Sequence, residues 1–107
     1  MFVIDNSNTI QITRGDTGEF DILLANADGS EYEVQPDDVV TFTVKRDTNT
    51  DEVLIQKTGT HIEIEPADTS GLSYGTYKYD IQVTFGTRKV DTVIPPSNFI
   101  VKDEVTF

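Results

Sequence analysis

Residues 71–85, GLSYGTYKYDIQVTF, decide the fold. From Tyr77 onward, apolar and polar side chains alternate strictly, which is the pattern of a strand that buries one face and exposes the other. The apolar face carries Tyr77, Tyr79, Ile81, Val83 and Phe85, and the polar face carries Lys78, Asp80, Gln82 and Thr84. A core is therefore expected against the face that bears the two tyrosines.

Alternation of this kind recurs along the chain and predicts a series of short strands. They cover roughly residues 9–13, 18–25, 31–34, 39–46, 52–58, 61–65, 76–85, 88–94 and 97–102. Turn-forming breaks separate them about every ten residues, and no segment shows a convincing helical period. We therefore expect one all-β domain over residues 1–107, an immunoglobulin-like antiparallel β-sandwich. A small closed barrel is the competing architecture.

The two tyrosines at the start of the strand need an explanation. In immunoglobulin-like sandwiches, a tyrosine near the start of a late strand donates its hydroxyl to the backbone of the preceding connection. Residues 68–77 have this layout, with Gly75 in the turn and Tyr77 at the corner. Tyr79 then takes the next inward position, where antibody domains have a cysteine. Alternatively, both rings fill the rim of the core with their hydroxyls at its edge.

Charge and composition exclude several classes of partner and site. Eight basic and nineteen acidic side chains give a net charge of −11, which repels nucleic acid and anionic membranes. The absence of cysteine excludes disulfides, thiolate zinc sites and thiol nucleophiles. The first apolar run ends at Asp5 without a preceding basic region, so no signal peptide is expected. We expect the chain to be made and folded in a cytoplasm.

One loop resembles the start of a calcium-binding loop. Asp47, Asn49 and Asp51 have the spacing of the first oxygen ligands in a helix–loop–helix site. The sixth and twelfth loop positions are Glu52 and Thr58 instead of glycine and glutamate, and the flanking segments are predicted strands. Short polar residues also bond the local backbone in turns. We therefore expect a hairpin turn and no metal ligand here.

Two further motifs have simple structural interpretations. Residues 14–16 spell the adhesion tripeptide Arg-Gly-Asp, but a glycine between polar residues is also what a tight turn between two strands requires. His61 is the only histidine, and no serine or acidic pair is obviously placed to make it a base. Glu63 and Glu65 both point outward by alternation. We expect no catalytic and no cofactor-binding residue, no cofactor, and a protein that is not an enzyme.

Four segments together carry a resemblance to a known family. They are ITRGDTGEFDILL, VTFTVKR, PADTSGLSYGTYKYDIQVTF and DTVIPPSNFIVKDEVTF, at residues 12–24, 40–46, 66–85 and 91–107. The chain resembles the N-terminal domain of baseplate upper proteins of phages of Gram-positive bacteria, and related small prophage proteins. The resemblance implies a β-sandwich that attaches to the baseplate or another part of the virion, with no enzymatic activity and no cofactor. Members of that family continue into a longer region.

We therefore expect a structural module located in the virion and assembled in the bacterial cytoplasm. Its expected partners are other virion proteins and copies of itself, with no nucleic acid and no membrane. An interface could form if the apolar residues that are out of phase or terminal, Phe2, Leu23, Val93, Ile100 and Phe107, cluster on one surface. If they are scattered, they carry no meaning.

The alternative function is a small-ligand or carbohydrate-binding sandwich. Exposed aromatic rings on a sheet face or loop would then stack on sugar rings. Tyr32 and Tyr74 are the candidates outside the inward-facing sets, and the chain has no tryptophan. This composition favours the structural module.

Overall fold

The computed structural model describes residues 2–86 and 89–103. Within them the chain forms eight strands and one short helix, which confirms the all-β prediction. The elements are β1 (Phe2–Ile4), β2 (Ile10–Thr13), β3 (Gly18–Asp21), β4 (Val39–Lys45), β5 (Val53–Thr58), β6 (His61–Ile64), α1 (Pro66–Ser70), β7 (Gly75–Thr84) and β8 (Val90–Lys102). No helix in this part of the chain is long and apolar enough to span a membrane.

The strands form two sheets. A six-stranded sheet has the order β1-β2-β8-β7-β4-β5, and β3 pairs with β6 in a two-stranded sheet. The pair β2–β8 is parallel, with Ile10 opposite Phe99 and Thr13 opposite Lys102. The sheet is therefore mixed, and the expectation of a purely antiparallel structure is wrong. Alternation could not show this, because its period of two is the same for parallel and antiparallel neighbours.

Buried side chains from both sheets form one hydrophobic core. Phe42 of β4 is fully buried, and its ring contacts Phe20 of β3, Tyr79 of β7 and Phe99 of β8 at centroid distances of 5.5, 5.4 and 6.3 Å. The predicted inward residues of β4 and β7 are buried: Val40, Phe42, Val44, Tyr77, Tyr79, Ile81 and Val83. The facing of these two strands is thus confirmed.

The hydroxyl groups of the two buried tyrosines connect β7 to loops. Tyr77 Oη donates a hydrogen bond to the carbonyl oxygen of Ser73 at 2.7 Å, which confirms the predicted bond to the preceding connection. Tyr79 Oη donates to the carbonyl oxygen of Asn8 at 2.5 Å. Burial, together with the nearby charge of Asp5, raises the pKa of Tyr79 to about 12. The Tyr79 hydroxyl therefore remains a donor throughout the neutral pH range.

Four predicted strands differ from the observed ones. Residues 31–34 form no strand, and only an isolated bridge joins Ala25 to Glu31. The strand predicted over 18–25 ends at Asp21. The strands predicted over 88–94 and 97–102 are parts of one strand, β8. Two register shifts against β7 accommodate extra residues in β8, so pairing continues past Pro95 and Pro96.

The short helix α1 is missing from the sequence prediction. Its N-terminus is a reciprocal capping box, in which the Glu65 side chain accepts from the backbone of Asp68 and Asp68 Oδ2 accepts from the Glu65 N–H at 2.8 Å. Pro66 follows the cap, where a missing N–H costs nothing. Five residues are too few to show a helical period. The capping residues Glu65 and Asp68 and the proline at position 66 were the features of the sequence that could have indicated the start of this helix.

Gly18 permits close contact between the N-terminal strand and β3. A Cβ atom at this position would lie 2.4 Å from Cδ1 of Phe2. The Phe2 ring also stacks on Phe20, with centroids 6.0 Å apart. These contacts hold β1 against β3.

Replacing Tyr77 with Phe should lower the free energy of unfolding by about 1 kcal/mol, because the Ser73 carbonyl loses its donor. Urea unfolding of both proteins measures the difference. The exposed Tyr74→Phe is the matched control and should cost less. A change at Tyr77 within about 0.3 kcal/mol would show that the ring acts by packing alone.

Phe42→Ala should lower the free energy of unfolding by about 3–5 kcal/mol, because it leaves a cavity at the contact between the two sheets. Val39→Ala, at an exposed position of the same strand, should change stability by less than about 0.5 kcal/mol. Thermal or urea unfolding of the two variants measures these losses. Equal losses of stability in Phe42→Ala and Val39→Ala would contradict the central position of Phe42.

Candidate functional site

An ionic cluster surrounds His61 on the exposed face of the β3–β6 sheet. Cross-strand pairing places Asp21 opposite His61 and Glu19 opposite Glu63. His61 Nδ1 lies 2.7 Å from Asp21 Oδ1, and Nε2 lies 3.4 Å from Glu19 Oε2 and 3.5 Å from Glu63 Oε1. His61 is on the surface, with 51% of its side chain exposed, as expected. The sequence did not make these acidic neighbours of His61 obvious.

This cluster is not apparent in the sequence, because its members come from different strands. Alternation places Glu19 and Asp21 on one face, but nothing local indicates that β3 pairs with β6 or in which register. The hydrogen bond to Asp21 raises the pKa of His61, and the charges of Asp21, Glu19 and Glu63 act in the same direction, against the opposing effect of desolvation. The protonated imidazole thus neutralises carboxylates that would otherwise repel one another.

Candidate metal ligands occur at two places among the described residues. Single donor atoms of Glu19, His61 and Glu63 lie within 4.8 Å of one another, and all three residues are exposed. The ion pairs of His61 account for this arrangement without an ion. In the loop after β4, Asp47 Oδ1 accepts the N–H of Asn49 at 2.8 Å, as expected for a turn. The absence of a calcium site in that loop stays a prediction.

Residues 14–16 form the turn that the glycine predicted. Gly15 has a φ of 87°, and the N–H of Asp16 donates to the carbonyl oxygen of Thr13 at 3.0 Å. The N–H of Gly15 donates to Oγ1 of the buried Thr69 at 2.9 Å. The turn between β2 and β3 is thereby attached to helix α1.

Arg14 and the two candidate stacking tyrosines are held by contacts within the chain. The guanidinium of Arg14 lies 4.3 Å from the ring centroid of Tyr74 and donates to its hydroxyl at 2.8 Å. Tyr32 packs edge-on against Phe85, with centroids 5.6 Å apart, and donates to Asp38 Oδ2 at 2.5 Å. Arg14 therefore covers one face of Tyr74, which makes this ring a poor platform for a sugar.

A mainly apolar groove lies between the first part of β8 and the segment that follows β3. Its volume is about 730 Å³, within the range of binding sites. Leu23, 79% exposed, stands at the rim. The lining residues are Ile4, Asn8, Phe20, Asp21, Ile22, Leu23, Leu24, Ala25, Asn26, Tyr32, Tyr79, Ile81, Phe85, Asp91, Thr92, Val93 and Ile94.

The predicted apolar patch therefore forms only in part. Leu23 and Val93 line the same groove. Phe2 is instead packed on Phe20, Ile100 pairs with Gln11 and Thr76 inside the six-stranded sheet, and Phe107 lies outside the described residues. Which apolar residues come together depends on how distant segments pair. The alternation pattern of the sequence carries no information about that pairing.

None of the described strands pairs with the edge of β8 beside this groove. β2 pairs with β8 only from Phe99 to Lys102. Before Phe99, β8 pairs with β7 alone among the described strands. The backbone edge of residues 90–98 is thus open on the side where a longer β2 would lie. The apolar lining of the groove lies next to this open edge.

In comparisons with known proteins, the sequence matches no family model and no curated protein.

The ionic cluster should make stability depend on pH near neutrality. Since the folded-state pKa of His61 is raised, its contribution is fully present below the unfolded-state pKa of about 6.5 and is lost as pH rises through the folded value. Relative to His61→Gln, the wild type should lose stability as the pH rises from about 6.5 through the raised folded-state pKa of His61. Parallel unfolding curves across this range measure the difference.

Asp21→Asn is the control for this effect. It removes the charge that bonds Nδ1 and should reduce the pH-dependent difference, whereas Asp47→Asn, which lies in the loop after β4, should leave it intact. If the stabilities of the wild type and His61→Gln change with pH in the same way, the proposed ionic role of His61 is contradicted.

Proposed function

We propose that the chain is a non-enzymatic structural module of a phage or prophage virion that acts through protein–protein assembly. The observation that carries this proposal is the exposed Leu23 at the rim of an apolar groove on a chain of net charge −11. A large apolar patch bordered by polar residues marks an interaction surface in soluble proteins. The proposed partners are other virion proteins and copies of the chain itself.

We further propose that the two sheets form an immunoglobulin-like sandwich. The neighbouring strands β8-β7-β4-β5 match the G-F-C-C′ order of that fold, and β3–β6 matches its B–E pair. The Tyr77 hydrogen bond occurs at the start of the strand that corresponds to F, where the fold has its tyrosine corner. A sandwich of this kind supports many functions, so it constrains the architecture and not the activity.

The resemblance to baseplate upper proteins supports the virion assignment. The similar segments include residues 12–24, which contain the turn attached to Thr69, and residues 66–85, which contain the Tyr77 corner. Both contacts lie at the end of the six-stranded sheet where Ile12 and Gly75 pair with Val101. The resemblance therefore lies in parts of the chain that set the architecture of the module.

A small-ligand-binding sandwich is the second candidate. The groove volume of about 730 Å³ and its apolar lining are suited to a small apolar molecule. Sugar binding has less support, because Arg14 covers one face of Tyr74 and the hydroxyl of Tyr32 is held by Asp38.

The structural role predicts self-association that strengthens with salt. At low ionic strength the net charge of −11 keeps copies apart. About 0.5 M salt shortens the screening length to several ångströms while apolar contacts persist. Sedimentation velocity at low and high salt should show a monomer and an oligomer, respectively. Leu23→Ser should weaken the high-salt species.

Coexpression with products of the neighbouring genes tests the virion assignment separately. Those genes should encode tail, baseplate or capsid proteins, and at least one product should copurify in a defined ratio. If the chain is a monomer at both salt concentrations, it does not assemble with itself and the proposed assembly involves other proteins only. Neighbouring genes unrelated to virions, together with no copurifying product, would overturn the virion proposal.

A further inference from the structure

We propose that the groove beside β8 is a docking site for an extended, apolar and cationic segment of a partner protein, which adds as a strand along residues 91–94. This inference rests on the proposed function, because it names the surface and the kind of partner through which the module assembles. Strand addition joins backbone hydrogen bonds at a sheet edge to side-chain contacts in adjacent hollows. The groove provides both.

No described residue occupies the place beside the first half of β8 where a longer β2 would lie. The parallel register of Ile10 with Phe99 means that an N-terminal extension of β2 would run beside the first half of β8. The chain instead turns away at residues 5–9. Asp5 Oδ1 accepts the N–H groups of Ser7 and Thr9 at 2.8 and 3.0 Å, which stabilises this turn.

The N-terminal strand is held away from the empty position. Phe2 stacks on Phe20 and lies against Gly18, and β1 pairs with the far side of β2. The hydrogen bond from Tyr79 to the Asn8 carbonyl fixes the loop at the mouth of the groove. The described chain therefore does not fill the groove with its own residues.

The lining determines the side chains that the occupant needs. Ile22, Leu24, Val93 and Ile94 present apolar surface, and Leu23 projects from the rim. A strand lying on this surface would direct every second side chain into the groove. Apolar residues at alternate positions of the occupant fit this lining.

The charge of the groove selects a cationic occupant. Asp21 and Asp91 are the only charged residues among its described lining, and both are acidic. Asp21 already contacts His61, so Asp91 is the main carboxylate for an occupant. Glu31 and Glu33 line an adjoining hollow that shares Leu23 and Leu24 with the groove. Lysine or arginine at the outward positions of the occupant would complement these carboxylates.

The same charges disfavour a second copy of the chain as the occupant. Each copy carries a net charge of −11, so two copies repel at physiological ionic strength. Pro95 and Pro96 limit unspecific pairing further, because neither has an N–H group to offer an added strand. Backbone pairing is therefore confined to residues 91–94, and the side chains in the groove provide the selectivity.

The test uses a synthetic peptide of about nine residues that alternates lysine with isoleucine or valine, a length typical of a strand. Fluorescence anisotropy of the labelled peptide should show saturable one-to-one binding to the wild-type chain at about 0.15 M salt. A peptide with serine at the apolar positions has the same charge and should bind at least about tenfold more weakly. N-methylation of alternate amides should have a similar effect, because it blocks pairing with β8.

Protein variants locate the binding site. Leu23→Lys adds a positive charge at the exposed rim and should weaken binding by at least about tenfold, and Asp91→Asn should weaken it less. Val53→Ser, at an exposed position on the opposite edge strand β5, is the matched control and should bind as the wild type does. Melting curves verify that each variant folds.

Several outcomes would overturn the inference. If the serine peptide binds as tightly as the apolar peptide, binding depends only on general charge attraction. A dimer at about 0.15 M salt that Leu23→Lys abolishes would assign the groove to a second copy. Absence of peptide binding together with saturable binding of a small apolar dye, lost in Leu23→Lys, would assign it to a small ligand.

The inference and the proposed function fail in different experiments. If a neighbouring-gene product copurifies equally with the wild type and Leu23→Lys, and the peptide does not bind, the module assembles through another surface. If the peptide binds as described and no virion protein copurifies, the groove is a strand-binding site in a protein with another role.

Discussion

The contact of Phe42 with aromatic rings from three other strands is the interaction on which the structure depends. Phe20 comes from the two-stranded sheet, whereas Tyr79 and Phe99 belong to the same sheet as Phe42. A chain without cysteine has no covalent link between its sheets, so the burial of these large side chains must supply the attraction. The close packing of the rings also determines how the sheets are placed relative to each other.

Polar contacts anchor the loops around that core. Tyr77 binds the connection before β7, Tyr79 binds the loop before β2, and Thr69 accepts from the turn after β2. Each of these side chains is buried and satisfies a backbone group of a loop. Buried polar groups of this kind restrict loop positions because they are costly to leave without a partner. The open groove thus has a wall held by Tyr79 and Asn8 instead of a freely moving loop.

The groove and the net charge are connected features of the surface. An unpaired strand edge invites pairing with other chains, and the acidic surface opposes that pairing between identical copies. Asp91 and the two prolines lie on the open strand itself, which restricts the partners further. Acidic residues near an apolar site therefore oppose pairing between copies of the protein, and they are complementary to the cationic partner that we propose.

Much of the local structure could be predicted because it depends on nearest neighbours in the chain. The facing of β4 and β7, the turn at Gly15 and the hydrogen bond of Tyr77 follow from alternation, from the conformational freedom of glycine and from contacts within a few residues. The net charge of −11 and the absence of cysteine are properties of composition. These features exclude disulfides and disfavour nucleic acid in any fold.

Only the tertiary structure decided which strands are neighbours, and the candidate sites depend on that choice. The parallel β2–β8 pair, the Glu19–Asp21–His61–Glu63 cluster and the meeting of Leu23 with Val93 all join segments far apart in sequence. The register shifts in β8 and the loss of a strand at residues 31–34 have the same origin. Alternation specifies which face of a strand is buried, but the partner, direction and register follow from the packing of the whole core.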